Sequence, residues 1–199
     1  TGGMGAFSPS PLIDDRMRDR ILDEIVFPTL AGMASEGRRY TGFLYVGLMI
    51  TADGPKVIEF NARMGDPETQ VVLPAVQGRL LDYLVAAVDG GLTTGVVPAW
   101  PDRHVGVVLA SGGYPDRVET GKAITGLDRA SALPGVLVFH AGTSTRDGGV
   151  VTAGGRVLTV VGSAPDFATA RARAYEGASA ISFDGMFYRR DIGMKAIGK

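Results

Sequence analysis

The sequence predicts an α+β protein with two domains, and three observations carry this prediction. Residues 1–95 combine two stretches of helical apolar spacing with a pair of strand-like segments. A Pro-rich linker with a shift in composition follows at 92–103. Beyond it, most segments are typical of short strands. We therefore expect one domain over 1–95 and a small β-rich domain with a single helix over 96–199.

Composition excludes several classes of function. The 199 residues carry a net charge of −1 and no basic run longer than two residues, so we expect no nucleic-acid partner. The absence of cysteine excludes disulfides and thiolate sites, and it fits the cytoplasmic location that we expect. No apolar run approaches the roughly 20 residues of a membrane helix, so we expect no membrane association. Because the chain opens without Met at Thr1, we expect it to be a segment of a longer protein.

The first helix should follow a Gly-, Ser- and Pro-rich loop over residues 1–13. Asp14 and Asp15 are favourable N-cap residues, and Gly37 is a suitable stop. An apolar stripe at helical spacing consists of Ile21, Leu22, Ile25, Val26, Leu30 and Met33. Pro28 lies inside this stripe and should kink the helix or break it in two.

A hairpin is the next predicted element. Residues 42–51 and 55–61 are strand-like, and Asp53-Gly54 between them is a strong tight-turn signal. A short amphipathic helix should follow and end at Gly90-Gly91. Its apolar face consists of Leu80, Leu81, Leu84, Val85 and Val88.

The second domain should contain mostly strands. The predicted strands cover 104–110, 136–141, 150–153 and 156–161. One helix is expected at about 165–180, with Phe167, Ala170, Ala174 and Ala178 on one side. The two histidines, His104 and His140, should occupy strand or surface positions without a functional role.

The strand over 57–61 carries the first candidate site. Side chains alternate along a strand, so Val57, Glu59 and Asn61 should share one face, while Ile58 and Phe60 enter the core. A carboxylate and an amide oxygen are hard ligands of the kind that Mg²⁺ prefers when substrate phosphates also hold it. On this spacing alone, a solvated strand face remains the alternative.

The loop after this strand adds a second polar cluster. Arg63, Asp66 and Glu68 are crowded together by Gly65 and Pro67. An Arg provides a planar fork for phosphate oxygens, and Asp66 is suited to hold a cationic amine. A surface turn with a weak local salt bridge is the alternative. Together with the strand, the loop favours a site that handles phosphate and an amine.

Three stretches resemble the glycinamide ribonucleotide synthetase family of the ATP-grasp superfamily. They are residues 1–9 (TGGMGAFSP), 40–45 (YTGFLY) and above all 59–70 (EFNARMGDPETQ). The resemblance extends nearly end to end and includes Tyr188 to Gly193. It implies the C-terminal half of an ATP-grasp domain followed by a small β-rich domain.

The resemblance also implies roles for individual residues. Glu59 and Asn61 match the family's ligands for Mg²⁺ (or Mn²⁺), which bridges the ATP phosphates, and Arg63 matches a catalytic residue near the transferred phosphate. The residues that match the substrate pocket are Gly2, Gly3, Met4, Gly5, Gly65, Asp66 and Glu68. Many ATP-grasp enzymes have another acid on the preceding strand, where this chain has Gly47.

The implied function is an ATP-dependent ligase in purine biosynthesis. Glycine and ATP would form glycyl phosphate, and phosphoribosylamine would displace phosphate to give the amide. The family's phosphate-gripping lysines, adenine pocket and N-terminal domain would lie before Thr1, so the missing N-terminal part is an expected partner. We therefore predict no ligase activity for this chain alone.

Two other interpretations stay open from the sequence. One is a different ATP-grasp ligase that joins another carboxylate and amine. The other is a noncatalytic interaction fragment built from residues 97–199, although no basic patch or anchor motif supports it. Arg189 and Asp191 are expected to anchor a domain interface rather than to contact a ligand.

Overall fold

The computed structural model describes residues 3–92 and 95–197 and separates into two compact units. Within these residues, unit 1 covers 3–9, 66–76 and 99–197, and unit 2 covers 10–65, 77–92 and 95–98. Helices and strands occur in both units, which confirms the predicted α+β class. Each unit consists of several separate chain segments, which alternate along the sequence. The predicted division into one domain over 1–95 and another over 96–199 therefore stays a prediction.

Unit 1 is built on a four-stranded antiparallel sheet. Its strands are, in spatial order, β1 (Gly5–Ser8), β4 (Arg103–Ala110), β8 (Arg156–Ala164) and β5 (Val136–His140). The apolar runs that predicted strands at 104–110 and 156–161 form the two central strands, which are buried on both faces. The short strand β1 was predicted as loop, and it pairs Gly5 with Val107.

The helix α6 (Phe167–Ala180) covers one face of this sheet. Ala170, Ala174 and Ala178 are buried, as their spacing predicts, and Asp166 caps the helix by accepting a hydrogen bond from the Thr169 amide. A Cβ at Gly162 of β8 would lie 2.1 Å from the Ala170 carbonyl oxygen. The backbones of strand and helix therefore approach more closely than any larger residue permits.

The opposite face of the sheet receives a short helix, α3 (Glu68–Val72), which continues as a 3-10 turn over Leu73–Ala75. Val71 is 1% exposed and packs where Gly106 of β4 has no side chain. The rest of unit 1 comprises α5 (Leu127–Ser131), a ribbon of β6 (Thr143–Arg146) and β7 (Gly149–Thr152), and a 3-10 turn at Met194–Ala196. The sheet thus lies between two helices that come from distant parts of the chain.

Unit 2 begins with the predicted helix, which takes an unexpected form around Pro28. The segments are α1 (Asp15–Ile21), a π-helix (Leu22–Val26) and α2 (Phe27–Ser35). Asp14 caps α1 by accepting from the Met17 amide at 2.7 Å, as predicted. Pro28 lies in the first turn of α2, where its missing N–H costs least, and the widened π turn precedes it.

The remainder of unit 2 is a hairpin and one helix. Strands β2 (Tyr45–Thr51) and β3 (Gly54–Asn61) pair antiparallel around the predicted turn, and α4 (Leu80–Asp89) ends at Gly90 in the left-handed conformation. The expectation that Ile58 and Phe60 enter a core is wrong, because they are 63% and 43% exposed. A two-stranded ribbon has no further layer within this unit against which to bury them.

None of the helices among residues 3–92 and 95–197 combines the length and apolar character needed to cross a bilayer.

The His104 side chain is buried on β4, and because of this burial we expect the stability of the protein to depend on pH. Burial lowers the pKa of the His104 imidazole, and the charge of Asp102 opposes this shift more weakly. The unfolded chain therefore binds a proton at this histidine more readily than the folded chain does. The contribution of His104 to the free energy of unfolding is thus fully present above the ordinary histidine pKa of about 6.5, and it is lost as the pH decreases below that value.

We expect the free energy of unfolding to decrease from about pH 7 to pH 5, and this slope to flatten in His104→Asn. Urea unfolding across this range measures the effect. His140→Asn, at an exposed position, controls for the loss of a histidine. An unchanged slope in His104→Asn would contradict the assignment.

Candidate active-site residues

The candidate metal ligands lie on β3 at alternate positions. The register pairs Glu59 with Gly47 and Asn61 with Tyr45, so both side chains project to the same face of the ribbon. A β-bulge interrupts the pairing between Gly47 and Leu48, so that Val57 pairs with Leu48 and faces away from Glu59. The expectation that Val57 shares a face with Glu59 is therefore wrong. The Glu59 side chain is exposed, and Asn61 is partly exposed.

Gly47 provides space for Glu59. A Cβ on Gly47 would lie 2.9 Å from Glu59 Cγ, which is closer than real Cβ atoms approach a neighbour. Gly47 therefore leaves room for the acid on the facing strand. Any larger residue at this position would push the Glu59 side chain aside.

Arg63 lies just beyond the end of β3 and contacts the same cluster. Its Nη2 donates to Asn61 Oδ1 at 3.3 Å, and its Nη1 donates to the Met64 carbonyl at 2.8 Å. The first hydrogen bond is long and exposed, so it is weak. Arg63 and Asn61 are thus neighbours, while the guanidinium keeps further N–H groups for a phosphate.

The oxygen donors of this cluster fit a cation that a nucleotide also holds. Glu59 supplies a carboxylate and Asn61 an amide oxygen with a second lone pair. The described residues contain no group of three or more acidic or histidine side chains able to hold a metal by themselves. Mg²⁺ is commonly held by one or two protein oxygens together with substrate phosphates, and this donor pair matches that pattern.

Unit 1 contains a second cluster, around Asp66. Arg156 Nη2 lies 2.9 Å from Asp66 Oδ2, and Gln70 Nε2 donates to Asp66 Oδ1 at 3.0 Å. Arg156 Nη1 also donates to the Asp66 carbonyl at 2.9 Å and to the Gly3 carbonyl at 3.2 Å. The structure therefore brings Asp66 and the glycine-rich segment together through one guanidinium.

The glycine-rich segment itself is tightly packed. Gly3 has φ +76°, and a Cβ on Gly5 would lie 2.7 Å from the Ile192 side chain. The Met4 side chain is buried against Val108, Ala110 and Tyr114, so it belongs to the core. Gly2, a predicted pocket residue, lies outside the described residues.

The other predicted residues occupy different positions. Gly65 is buried at the end of a unit 2 segment, and Glu68 is the first residue of α3 rather than part of a loop. Arg189 and Asp191 form an ion pair with each other, and Tyr175 on α6 donates to the Arg189 carbonyl at 2.7 Å. Their role at a domain interface remains a prediction.

Sequence reasoning missed Arg156 and Gln70. Gln70 lies within the EFNARMGDPETQ run, but no pattern distinguishes it from a surface helix residue. Arg156 follows Asp66 by 90 positions and stands at the start of a predicted strand, where an Arg is unremarkable. The only available signal was the adjacent Gly154-Gly155, which indicates a close backbone approach.

The fold occurs in several solved enzymes. The chain is similar to N5-carboxyaminoimidazole ribonucleotide synthetase from Thermotoga maritima, with a TM-score of 0.59, 18% identity, and coverage of 90% of this chain and 45% of that chain. It is also similar to biotin carboxylase from Campylobacter jejuni, with a TM-score of 0.63, 15% identity, and coverage of 98% and 42%. At these identities the likeness concerns the fold alone.

Closer comparisons define the family. Residues 1–69 match the ATP-grasp (A) domain of phosphoribosylglycinamide synthetase, and residues 104–195 match its C domain. The chain belongs to the phosphoribosylglycinamide synthetase family. The predicted resemblance is thereby confirmed.

Two relatives illustrate the match. The chain is 50% identical to phosphoribosylamine–glycine ligase from Vibrio parahaemolyticus, over 100% of this chain and 46% of the relative. It is 39% identical to the crystal structure of phosphoribosylamine–glycine ligase from Thermotoga maritima, with a TM-score of 0.82, covering 96% of this chain and 46% of that chain. The chain thus spans less than half the length of the relatives that it matches.

Proposed function

We propose that this chain is the C-terminal part of an ATP-dependent ligase that forms glycinamide ribonucleotide from phosphoribosylamine and glycine. The observation that carries the proposal is the placement of Glu59 and Asn61 on one face of β3, with Arg63 hydrogen-bonded beside them. A carboxylate, an amide oxygen and a guanidinium in this order suit a magnesium nucleotide. Full-chain identity of about 50% to named phosphoribosylamine–glycine ligases supports the choice of substrates.

The proposed reaction has two steps. A glycine carboxylate oxygen attacks the γ-phosphorus of ATP, so that ADP leaves and glycyl phosphate forms. The amine nitrogen of phosphoribosylamine then attacks the glycyl carbonyl carbon, phosphate leaves, and the nitrogen loses a proton. Phosphorylation is needed because a free carboxylate has no adequate leaving group. Neither step requires a nucleophilic side chain.

The β3 cluster, which consists of Glu59, Asn61 and Arg63, contributes to the first step. Arg63 offsets negative charge on the transferring phosphoryl group, since positioning and electrostatics dominate catalysis of phosphoryl transfer. Glu59 and Asn61 would hold the nucleotide's Mg²⁺ or Mn²⁺, which when bound reduces the charge on the phosphates. The carboxylate and the amide are therefore assigned to the cation, and the adjacent guanidinium is assigned to the transferring phosphoryl group.

The unit 1 cluster serves the substrates glycine and phosphoribosylamine. Arg156 pairs with one Asp66 oxygen and Gln70 donates a hydrogen bond to the other, but a carboxylate has about four lone-pair positions, which suits Asp66 to accept from a cationic amine as well. Gly3 and Gly5 allow backbone to approach a ligand without side-chain interference. Glu68, the first residue of α3, completes the proposed substrate residues of unit 1, and Gly65 at the end of a unit 2 segment stays a separate prediction.

Unit 2 supports the need for a further part of the same protein. Its β3 and α4 present a set of exposed apolar side chains, namely Val57, Ile58, Phe60, Leu81, Leu84, Val85 and Val88. Leu81, Leu84, Val85 and Val88 recur at helical spacing on one face of α4, and an exposed apolar face of this kind marks a surface that another polypeptide covers. The proposed occupant is the part of the relatives' length that this chain does not match, and the isolated chain is therefore expected to be inactive.

A phosphate-release assay tests the proposal on the extended protein, by which we mean a protein that contains this chain and reaches the relatives' full length. We expect phosphate release from Mg-ATP only when glycine and phosphoribosylamine are both present, and none from the 199-residue chain alone. Release with a different carboxylate and amine would identify another ATP-grasp ligase instead. Absence of release with any such pair would favour a noncatalytic fragment.

A further inference from the structure

We propose that Arg156 is a positioning residue that fixes the Asp66 carboxylate and the Gly3 carbonyl in one arrangement for substrate binding. The proposal rests on the proposed function, because it concerns the residues assigned there to glycine and phosphoribosylamine. It adds a residue from the second half of the chain, on β8, to the substrate site of unit 1.

The geometry of the guanidinium carries the proposal. One terminal nitrogen reaches Asp66 Oδ2 at 2.9 Å, and the other reaches the carbonyls of Asp66 at 2.9 Å and Gly3 at 3.2 Å. One planar group thus donates hydrogen bonds to two carbonyls and forms an ion pair with a carboxylate, and these three oxygens come from two separate segments. A lysine ammonium is a point charge on a flexible stem and does not reproduce this fork.

Neighbouring residues hold the backbone of Arg156 in place. Arg156 begins β8 opposite Ala110, and Ser111 binds both preceding residues: its amide donates to the Gly155 carbonyl and its hydroxyl to the Gly154 carbonyl, each at 2.8 Å. A Cβ on Gly155 would lie 2.3 Å from the Tyr114 ring. The side chain therefore extends from a backbone position that hydrogen bonds from Ser111 and close packing on Tyr114 hold in place.

Gly3 and Gln70 both contribute to the position of the Arg156 guanidinium and its Asp66 partner. Gly3 has φ +76°, and a Cβ there would lie 2.5 Å from Arg156 Nη1, so a larger residue would displace the guanidinium from this point. Gln70 on α3 donates to the second Asp66 oxygen, so both oxygens are held from different directions. The Arg156 side chain is 29% exposed, so solvent screens the ion pair only in part.

A residue that only stabilises the fold can be distinguished from a positioning residue. If Arg156 only stabilised the fold, its substitution would change stability and leave the substrate KM values of the folded enzyme unchanged. A positioning residue would raise the KM values of the substrates that Asp66 holds, while the KM for ATP, assigned to the β3 cluster, stays the same. The split between KM values therefore separates the two roles.

Steady-state kinetics of the extended protein with Arg156→Lys and Arg156→Met tests this role. We expect the KM for glycine or phosphoribosylamine to rise by about tenfold or more, the KM for ATP to stay within about twofold, and Lys to rescue little of the loss. Arg173→Lys is the matched control, because Arg173 in the same unit donates to the Ser163 carbonyl of β8.

A double-mutant cycle with Asp66→Asn completes the test. If Arg156 acts through Asp66, the double variant should be little worse than Asp66→Asn alone. Unchanged substrate KM values in both Arg156 variants, with an active parent, overturn the positioning role and leave the proposed function intact. A parent protein without release dependent on glycine and phosphoribosylamine overturns the proposed function itself, and with it this role.

Discussion

Replacing Glu59 by Gln in the extended protein is expected to lower kcat/KM for Mg-ATP on the order of 10²–10³-fold. The substitution keeps the shape of the side chain and removes the charge, so a hard cation shared with the phosphates is held less strongly. Phosphate release measured against Mg-ATP concentration gives the number. Raising free Mg²⁺ should recover part of the loss, because the defect lies in holding the cation.

Two further variants sharpen this result. Glu36→Gln removes an exposed carboxylate of the same unit away from β3 and should leave kcat/KM within about twofold of the parent. Gly47→Ala leaves Glu59 in the chain but places a methyl group 2.9 Å from Glu59 Cγ, so it should displace this side chain and reduce activity in the same direction. A Glu59→Gln enzyme as active as the Glu36→Gln control would contradict the assignment of the β3 cluster.

The substitution with the largest expected effect on stability is Gly162→Ala. The added Cβ would lie 2.1 Å from the Ala170 carbonyl oxygen and 2.4 Å from the Ala174 nitrogen, both backbone atoms of α6. Neither atom can move aside without shifting the helix from the sheet. We expect unfolding to be easier by about 3 kcal/mol or more, at the upper end of overpacking costs.

The midpoint of urea unfolding measures this loss. Gly32→Ala is the matched control, because Gly32 lies within α2 and a Cβ there meets nothing within 4 Å. That control should stabilise the chain by about 0.5–1 kcal/mol through helix propensity. A Gly162→Ala variant as stable as the parent would show that α6 does not pack on β8 as described.

Local signals predicted the elements whose causes are local. The Asp53-Gly54 turn and the Gly90 helix end follow from backbone conformations that glycine adopts readily. The apolar runs at 104–110 and 156–161 predicted strands because both faces of β4 and β8 are buried. The capping residue Asp14 was likewise evident, since its side chain bonds only three positions away.

Features that depend on distant partners were not predicted. Strand β1 forms because Gly5 pairs with Val107, about a hundred positions later, and Gly-Ala-Phe-Ser has no strand pattern of its own. Alternation along 57–61 suggested a buried face for Ile58 and Phe60, but burial requires an opposing layer that unit 2 does not provide. The partner of Asp66, Arg156, was hidden for the same reason.

Calorimetry with Mg-ATP, comparing the extended protein, its Glu59→Gln variant and the 199-residue chain, tests most directly whether β3 holds a nucleotide-bound cation. We expect saturable binding by the extended protein, binding weakened at least about tenfold by Glu59→Gln, and none by the chain alone. Equal affinity of the parent and the Glu59→Gln variant would show that the nucleotide's cation is held elsewhere.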